Sequence, residues 1–122
     1  MAYRDFTQAS VWQKGFALLI AVYKITKRFP RDELYGLASD MRRAANSVLH
    51  NFAEGFGRFE TRDKTRFYKI SRGSAYELIS QSYVSSELGF VTGDECDNLL
   101  NGYRDVIQEF DNLIISLERR CN

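Results

Sequence analysis

From Cys96 to Leu117 the apolar residues Cys96, Leu99, Leu100, Tyr103, Val106, Ile107, Phe110, Leu113, Ile114 and Leu117 recur with spacings 3, 1, 3, 3, 1, 3, 3, 1, 3. Those steps hold all of them on one stripe of an α-helix, and they do not fit the two-residue alternation of a strand. A stripe of this a/d/e type, sustained over three heptads, is the pattern of a helix in an antiparallel bundle. Its start is marked by Thr92-Gly93-Asp94-Glu95, a capping box in which the hydroxyl and the carboxylate satisfy free N–H groups of the first turn. The spacing predicts a helix over 93–119, and such a helix needs partners.

The rest of the chain offers three. A first helix is expected over 6–29, stopped by Pro30, the only proline, which cannot continue a helix interior. It carries two apolar faces. Val11, Leu18, Val22, Ile25 and Phe29 form one, and Trp12, Phe16, Leu19 and Tyr23 form another about 120° away. A small isolated bundle needs one such face per helix. The second implies unusually deep burial or contact with another subunit, and we adopt the subunit reading. Trp12, Phe16, Leu19 and Tyr23 are therefore candidate subunit-interface residues.

A second helix is expected over 32–56, with Asp32 and Glu33 suited to its positive start. Met41, Ala45, Val48, Phe52 and Phe56 line one side, and Ser47, Asn51 and Glu54 line nearly the opposite side. Gly55 and Gly57 are expected to close it through the left-handed conformation that glycine tolerates. A third helix is expected over 61–88, ending at Gly89. Its core stripe reads Phe67, Ile70, Ser71, Ser74, Leu78, Gln81, Ser85 and Leu88. Ser74, near the centre, would let another helix approach closely. Four helices of this length joined by short breaks make an all-α, antiparallel up-down-up-down four-helix bundle in a single domain, 1–122.

Composition agrees with a soluble globular chain, 44% hydrophobic and 27% charged. The longest apolar run, Phe16 to Tyr23, is too short to span a bilayer, and no apolar stretch follows Tyr3, Arg4 and Asp5. A cytoplasmic protein without membrane contact is expected. Cys96 falls on the apolar stripe as a small core residue. Cys121 sits at the tail as a loose thiol, too far along the same helix to bridge to Cys96.

Charge is uneven under a net +1. Residues 42–72 hold eight Lys/Arg against three Asp/Glu, and residues 77–122 hold three against nine. Arg62, Arg66 and Lys69 share one face of the third helix, and Arg72, Tyr76 and Tyr83 continue around its outer side. Basic groups contact phosphates and aromatic rings stack on unpaired bases, so Arg62, Arg66, Lys69, Arg72 and Tyr76 are candidate nucleic-acid contacts. A solvated basic face is the plain alternative.

Ser47, Asn51 and Glu54, with Arg58 just beyond, form a polar face expected to be satisfied by hydrogen bonds to solvent or across a subunit boundary. Nothing nearby supplies an activating base for Ser47, and His50 lies off the stripe. Glu77 flanks the core stripe of the third helix and needs a partner, for which Arg43, Asn46, Asn51 and Arg58 are available. A di-iron bundle site needs Glu-x-x-His pairs, and Ser47 stands where the glutamate before His50 would be. No metal and no cofactor are expected. Gly55-Phe56-Gly57-Arg58 is read as helix termination rather than a phosphate cradle. Arg43 and His50 fit a loose Arg-x(4–6)-His nuclease pattern, but Ala44 replaces the usual polar residue.

Four segments together resemble one family. They are Phe29-Pro30, Arg42-Arg43-Ala44-Ala45-Asn46-Ser47, Asn51-Phe52-Ala53-Glu54-Gly55-Phe56-Gly57-Arg58, and Gly73-Ser74-Ala75-Tyr76-Glu77-Leu78. The chain is similar over nearly its whole length to the bacterial four-helix-bundle proteins encoded in intervening sequences of 23S ribosomal RNA genes. The resemblance implies a homo-oligomer, with a pentameric ring as its form, and no established enzymatic activity. It also implies kinship with accessory proteins of diversity-generating retroelements, which assist a reverse transcriptase. The expected function is non-enzymatic binding of RNA or DNA, or of a nucleic-acid-processing partner such as a reverse transcriptase. An interaction module without nucleic-acid contact is the alternative, and a bundle-type ribonuclease the distant third.

Overall fold

The apolar stripes of the second and fourth helices and the first face of the first bury against their neighbours in the computed structural model, which describes residues 5–121, and the third-helix stripe buries in part. The helices are α1 (Ser10–Thr26), α2 (Leu37–Phe56), α3 (Thr61–Glu87) and α4 (Gly93–Cys121), and no strand occurs among the described residues. Sequence neighbours pack side by side, α4 returns to α1, and the diagonal pairs stay apart. Across the core they meet only through large side chains, as Phe52 of α2 and Phe110 of α4 do with ring centroids 6.0 Å apart. Cross-helix pairs fix the directions. Lys14 meets Glu109 at 2.8 Å and Arg28 meets Glu95 at the other end, so α1 and α4 run antiparallel. Met41 pairs with Ser85 and Ser47 with Ser74, while Lys69 pairs with Glu118 and Arg72 with Asp111, which makes α2–α3 and α3–α4 antiparallel too.

The ends of the helices follow local chemistry. Thr92 and Glu95 form the expected reciprocal cap: Thr92 N–H donates to Glu95 Oε1 at 2.9 Å, and Glu95 N–H to Thr92 Oγ1 at 3.1 Å. That backbone bond, aided by Arg28, holds the Glu95 carboxyl below its ordinary pKa. Gly89 at φ 77° is the one residue with positive φ among those described. Phe90 N–H reaches Ser85 O at 2.9 Å and Gly89 N–H reaches Ser86 O at 3.0 Å, the two bonds of a Schellman closure.

Three expectations are corrected. The first helix does not run over 6–29: a 3-10 turn at Phe6–Gln8 is capped by Asp5, Ala9 is extended, and α1 proper spans Ser10–Thr26. Likewise Asp32 and Glu33 lie in a separate 3-10 turn, Arg31–Glu33, and α2 begins at Leu37 rather than 32. Glu33 still serves the helix start, since its carboxylate accepts from Leu37 N–H at 3.1 Å across the break. Gly57 has φ −79° and Gly55 is buried inside α2. Neither uses a left-handed conformation. A Cβ on Gly55 would lie 2.7 Å from the Tyr68 ring and 3.1 Å from the Lys64 carbonyl, so this glycine is required by the close approach of α3.

The core stripe of α3 is also turned from the expected one. Ile70 and Leu88 are exposed, whereas Thr65, Tyr68, Ala75 and Ser82 are buried beside Ser71, Ser74, Leu78 and Ser85. Cys96 is buried and free. The thiol expected at Cys121 falls outside the described side chains, and Tyr3 and Arg4 fall outside the described residues.

Candidate functional site

The polar seam between α2 and α3 is built from small side chains. Ser71 donates to Val48 O at 2.8 Å, and Ser74 Oγ to Ser47 Oγ at 2.8 Å. Asn51 Nδ2 lies 3.0 Å from both Ser47 O and Ser47 Oγ. Further along, Ser85 Oγ meets Met41 Sδ at 3.4 Å. Ser47, Asn51 and Ser74 therefore come together, which corrects the placement of Ser47 and Asn51 nearly opposite the core side of the second helix: they face α3, and their bonds close within one chain rather than to solvent or across a subunit boundary. An activated serine needs a base to take its proton. The amide of Asn51 instead donates to Ser47, and His50 is exposed. Ser71, which makes the seam's most buried bond, was legible only as a neighbour of Ser74 on a small-residue stripe.

Glu54 and Arg58 leave the seam and pair with each other at 2.7 Å, one turn apart on the surface. Glu77 is exposed rather than partly buried, and Arg43 lies 3.5 Å away as its partner. Exposed pairs of this kind contribute about 0–1 kcal/mol.

The basic stripe on α3 is largely answered by α4. Lys69 Nζ lies 2.9 Å from Glu118 Oε2, and Arg72 Nε is bound to Asp111. The Arg72 guanidinium also sits 5.1 Å from the centroid of the Tyr76 ring, covering one stacking surface. Arg66 is 3.9 Å from Asp63 and rests 4.4 Å from the centroid of Phe67. Arg62 has no ion-pair partner among the described residues. The five predicted contacts thus separate into a neutralised group, Lys69, Arg72 and Tyr76, and a less engaged pair, Arg62 and Arg66. The latter flank the α2–α3 turn, where Phe59 is 98% exposed. Phe59 was missed because an isolated aromatic beside a helix end carries no periodicity.

The second face of α1 is partly absorbed by its own chain. Tyr23 accepts from Asn46 Nδ2 at 2.9 Å and lies under the Arg42 guanidinium. Trp12 and Leu19 are half-buried. Phe16 remains 45% exposed and stacks on Trp12 with centroids 5.1 Å apart, and Ile20 is exposed next to it. Trp12 in turn packs on Phe6, and Phe6 on Phe56. The exposed part of the face is therefore a rigid aromatic ledge.

Among the described residues no group of His, Cys, Asp and Glu is arranged to hold a metal, and no helix is long and apolar enough to cross a membrane. Among the described residues two buried side-chain polar atoms lack hydrogen-bond partners, Gln81 Oε1 and Tyr103 Oη. Burial raises the Tyr103 phenol above its ordinary pKa.

With this geometry in place, comparison with known proteins identifies the relatives. The chain belongs to the 23S rRNA-intervening sequence protein family, whose model matches residues 7–112. Among solved structures it is similar to a protein of unknown function of the S23 ribosomal protein family from Bacteroides thetaiotaomicron. The TM-score is 0.79 at 13% identity, covering 85% of this chain and 97% of that one. Identity that low shows the shared fold. No curated protein matches the chain.

Proposed function

We propose that this member of the 23S rRNA-intervening sequence protein family is a non-enzymatic cytoplasmic protein that assembles with itself, in the pentameric ring that its family resemblance implies. In that form it acts by binding nucleic acid or a nucleic-acid-processing partner such as a reverse transcriptase. The observation that carries the assembly is the Trp12–Phe16 ledge with exposed Ile20 on the outside of α1. Large aromatic side chains of low conformational entropy favour the centres of interfaces, and a rigid ring already stacked loses little freedom when a second copy covers it. Net charge of +1 offers little opposition to self-association.

For nucleic acid, the supporting feature is the α2–α3 turn, where Arg62, Arg66 and the exposed Phe59 lie outside the α3–α4 ion pairs. Lys69 and Arg72 contribute less in this reading, because a phosphate would have to displace Glu118 and Asp111.

Light scattering tests the assembly. The wild-type chain is expected at a multiple of the 14.1 kDa chain mass, and Phe16→Glu at the single-chain mass with unchanged helicity. A monomeric wild type refutes the assembly. Titration with labelled single-stranded RNA and duplex DNA at two salt concentrations tests the ligand. Binding that weakens steeply with salt, is reduced by Arg62→Gln with Arg66→Gln, and is little changed by Lys69→Gln supports contact at the turn. No binding at low salt favours the interaction-module alternative, and co-purification from the native host would then identify the partner.

A further inference from the structure

At the end of the bundle where α1 begins and α4 finishes, the helices part around a cavity of about 300 Å³. Its apolar wall is Phe52, Phe56, Tyr68, Leu113 and Leu117. Ligand pockets combine this kind of wall with a few placed polar groups, and the polar groups here are unevenly satisfied. On one side, Glu109 is already held by Lys14 at 2.8 Å and by Ser10 at 3.3 Å. On the other, Lys64 donates to Phe56 O at 2.8 Å and Gly55 O at 3.3 Å. Those carbonyls end α2 and offer the partial negative charge of a helix C-terminus but no full counter-charge. They satisfy two of the Lys64 protons, and the Phe56 ring, 5.7 Å away at its centroid, leaves the third without an oxygen acceptor. Arg120, also on the wall, has no ion-pair partner among the described residues. Tyr68 is only 5% exposed, and its hydroxyl makes no hydrogen bond with the described residues. The acid of this cavity is matched and its donors are not.

We propose that the cavity binds a small amphipathic monocarboxylate, its aliphatic or aromatic body against Phe52, Phe56 and Leu113 and its carboxylate on Lys64, with Tyr68 and Arg120 as further donors. A carboxylate supplies both the missing negative charge and acceptors for several N–H and O–H groups at once. A cationic amphiphile would find only Glu109, which is already paired. Burial of the Lys64 ammonium lowers its pKa from the ordinary value. The site adjoins the α2–α3 turn and shares Phe56 with the packing beneath the α1 ledge, but it uses none of Phe16, Ile20, Phe59, Arg62 and Arg66.

Three probes of equal tail length, decanoate, decanol and decyltrimethylammonium, decide the matter when titrated into the full chain below their micelle concentrations. Methyl resonances of Leu113 and Leu117 serve as reporters. Decanoate is expected to saturate and to bind at least about tenfold more tightly than the cationic probe, the margin of a charge-assisted contact. Lys64→Met should remove most of that preference while decanol binding persists, which also shows that the variant is folded. Lys64→Arg should retain the preference, and Tyr68→Phe should weaken decanoate about two- to threefold through loss of one hydrogen bond. Equal binding of the anionic and cationic probes overturns the proposal. So do shifts that fall on the α1 face instead of Leu113 and Leu117, or no saturation by about 1 mM. Should Lys64→Met fail to fold, the head-group comparison on the wild-type chain still decides.

Discussion

Between α2 and α3, Ser71 bonds to the Val48 carbonyl and Ser74 to Ser47, each at 2.8 Å, and Gly55 lies against the Tyr68 ring, which itself stacks on Phe52. On the outside of α1 lie Trp12 and Phe16, stacked but with the second ring open to solvent. Small side chains let two helix backbones come close, and short polar bonds then fix register and rotation. Large rings hold surfaces further apart and bury area without specifying one partner. The two inner neighbours of α3 are correspondingly in more extensive contact with it than α1 is with α2 or α4. The bundle thus has a closely fitted half around α3 and a more loosely attached helix that carries its aromatic surface outward.

The strongest way to break that comparison is to put bulk into the seam. Ser74→Leu is expected to destabilise the fold by about 1–3 kcal/mol through overpacking, because Ser47 and the α2 backbone lie directly opposite. Phe16→Ser should cost the isolated chain no more than about 0.5 kcal/mol, as surface substitutions do. Thermal or urea melts that rank these two the other way would reverse the assignment of the fitted half.

Alkaline titration probes the same half from inside. Burial pushes the Tyr68 phenol up to about 12 from an ordinary 10.0, and Tyr103 moves in the same direction. The unfolded chain releases these protons first. Stability should therefore be fully present below about pH 10 and fall as pH rises toward about 12, by on the order of 2 kcal/mol for Tyr68. Urea melts with tyrosinate absorbance as a second signal check this, and stability that is flat across that window would contradict it.

A finer distinction comes from two glycines. At Gly55 an added Cβ meets the Tyr68 ring and the Lys64 carbonyl, whereas at Gly102 of α4 it meets only the side chain of Leu18 on α1, at 2.4 Å. A helix gains roughly 1 kcal/mol when alanine replaces glycine. At Gly102 that gain should offset part of the cost of displacing the buried Leu18 side chain, leaving a smaller net loss than at Gly55. At Gly55 the ring and backbone cannot yield as easily, and a net loss of about 1–2 kcal/mol is expected. The smallest effects belong to the exposed α3–α4 pairs. Lys69→Gln should cost about 0–1 kcal/mol and less still in high salt, and exposed Asp97→Ala should be close to neutral.

Legibility followed the strength of the hydropathy pattern. The stripes of α2 and α4 and the first face of α1 are buried where their spacing puts them: Met41, Val48, Phe52, Val22, Leu99, Val106 and Phe110 are all in the core. On α3 the buried set is Thr65, Tyr68, Ser71, Ser74, Ala75, Leu78, Ser82 and Ser85. Apart from Leu78 and Tyr68 those residues are small and differ little in hydropathy from their exposed neighbours, so Ile70 and Leu88 drew the expected stripe part-way off the true one, which keeps Ser71, Ser74, Leu78 and Ser85. Of the candidate site, the pairing of Ser47 with Asn51 on one face and the close crossing at Ser74 were readable from each helix alone, but that the two meet was not. Nor was the neutralisation of Lys69 and Arg72, because it depends on which turn of α4 lies beside them.

The sequence by itself determined four helices, the apolar stripes of α1, α2 and α4, the Thr92–Glu95 cap and the Gly89 stop, since each depends on residues within a turn or two of one another. Only the tertiary structure decided how far α3 is rotated and which acids of α4 answer its cations. It also decided that Gly55 serves a close approach rather than a helix end, and that Lys64 and Tyr68 wall a cavity. Those outcomes rest on rotations and offsets between helices, which are fixed by the fit of side chains from distant parts of the chain and leave no period in the sequence.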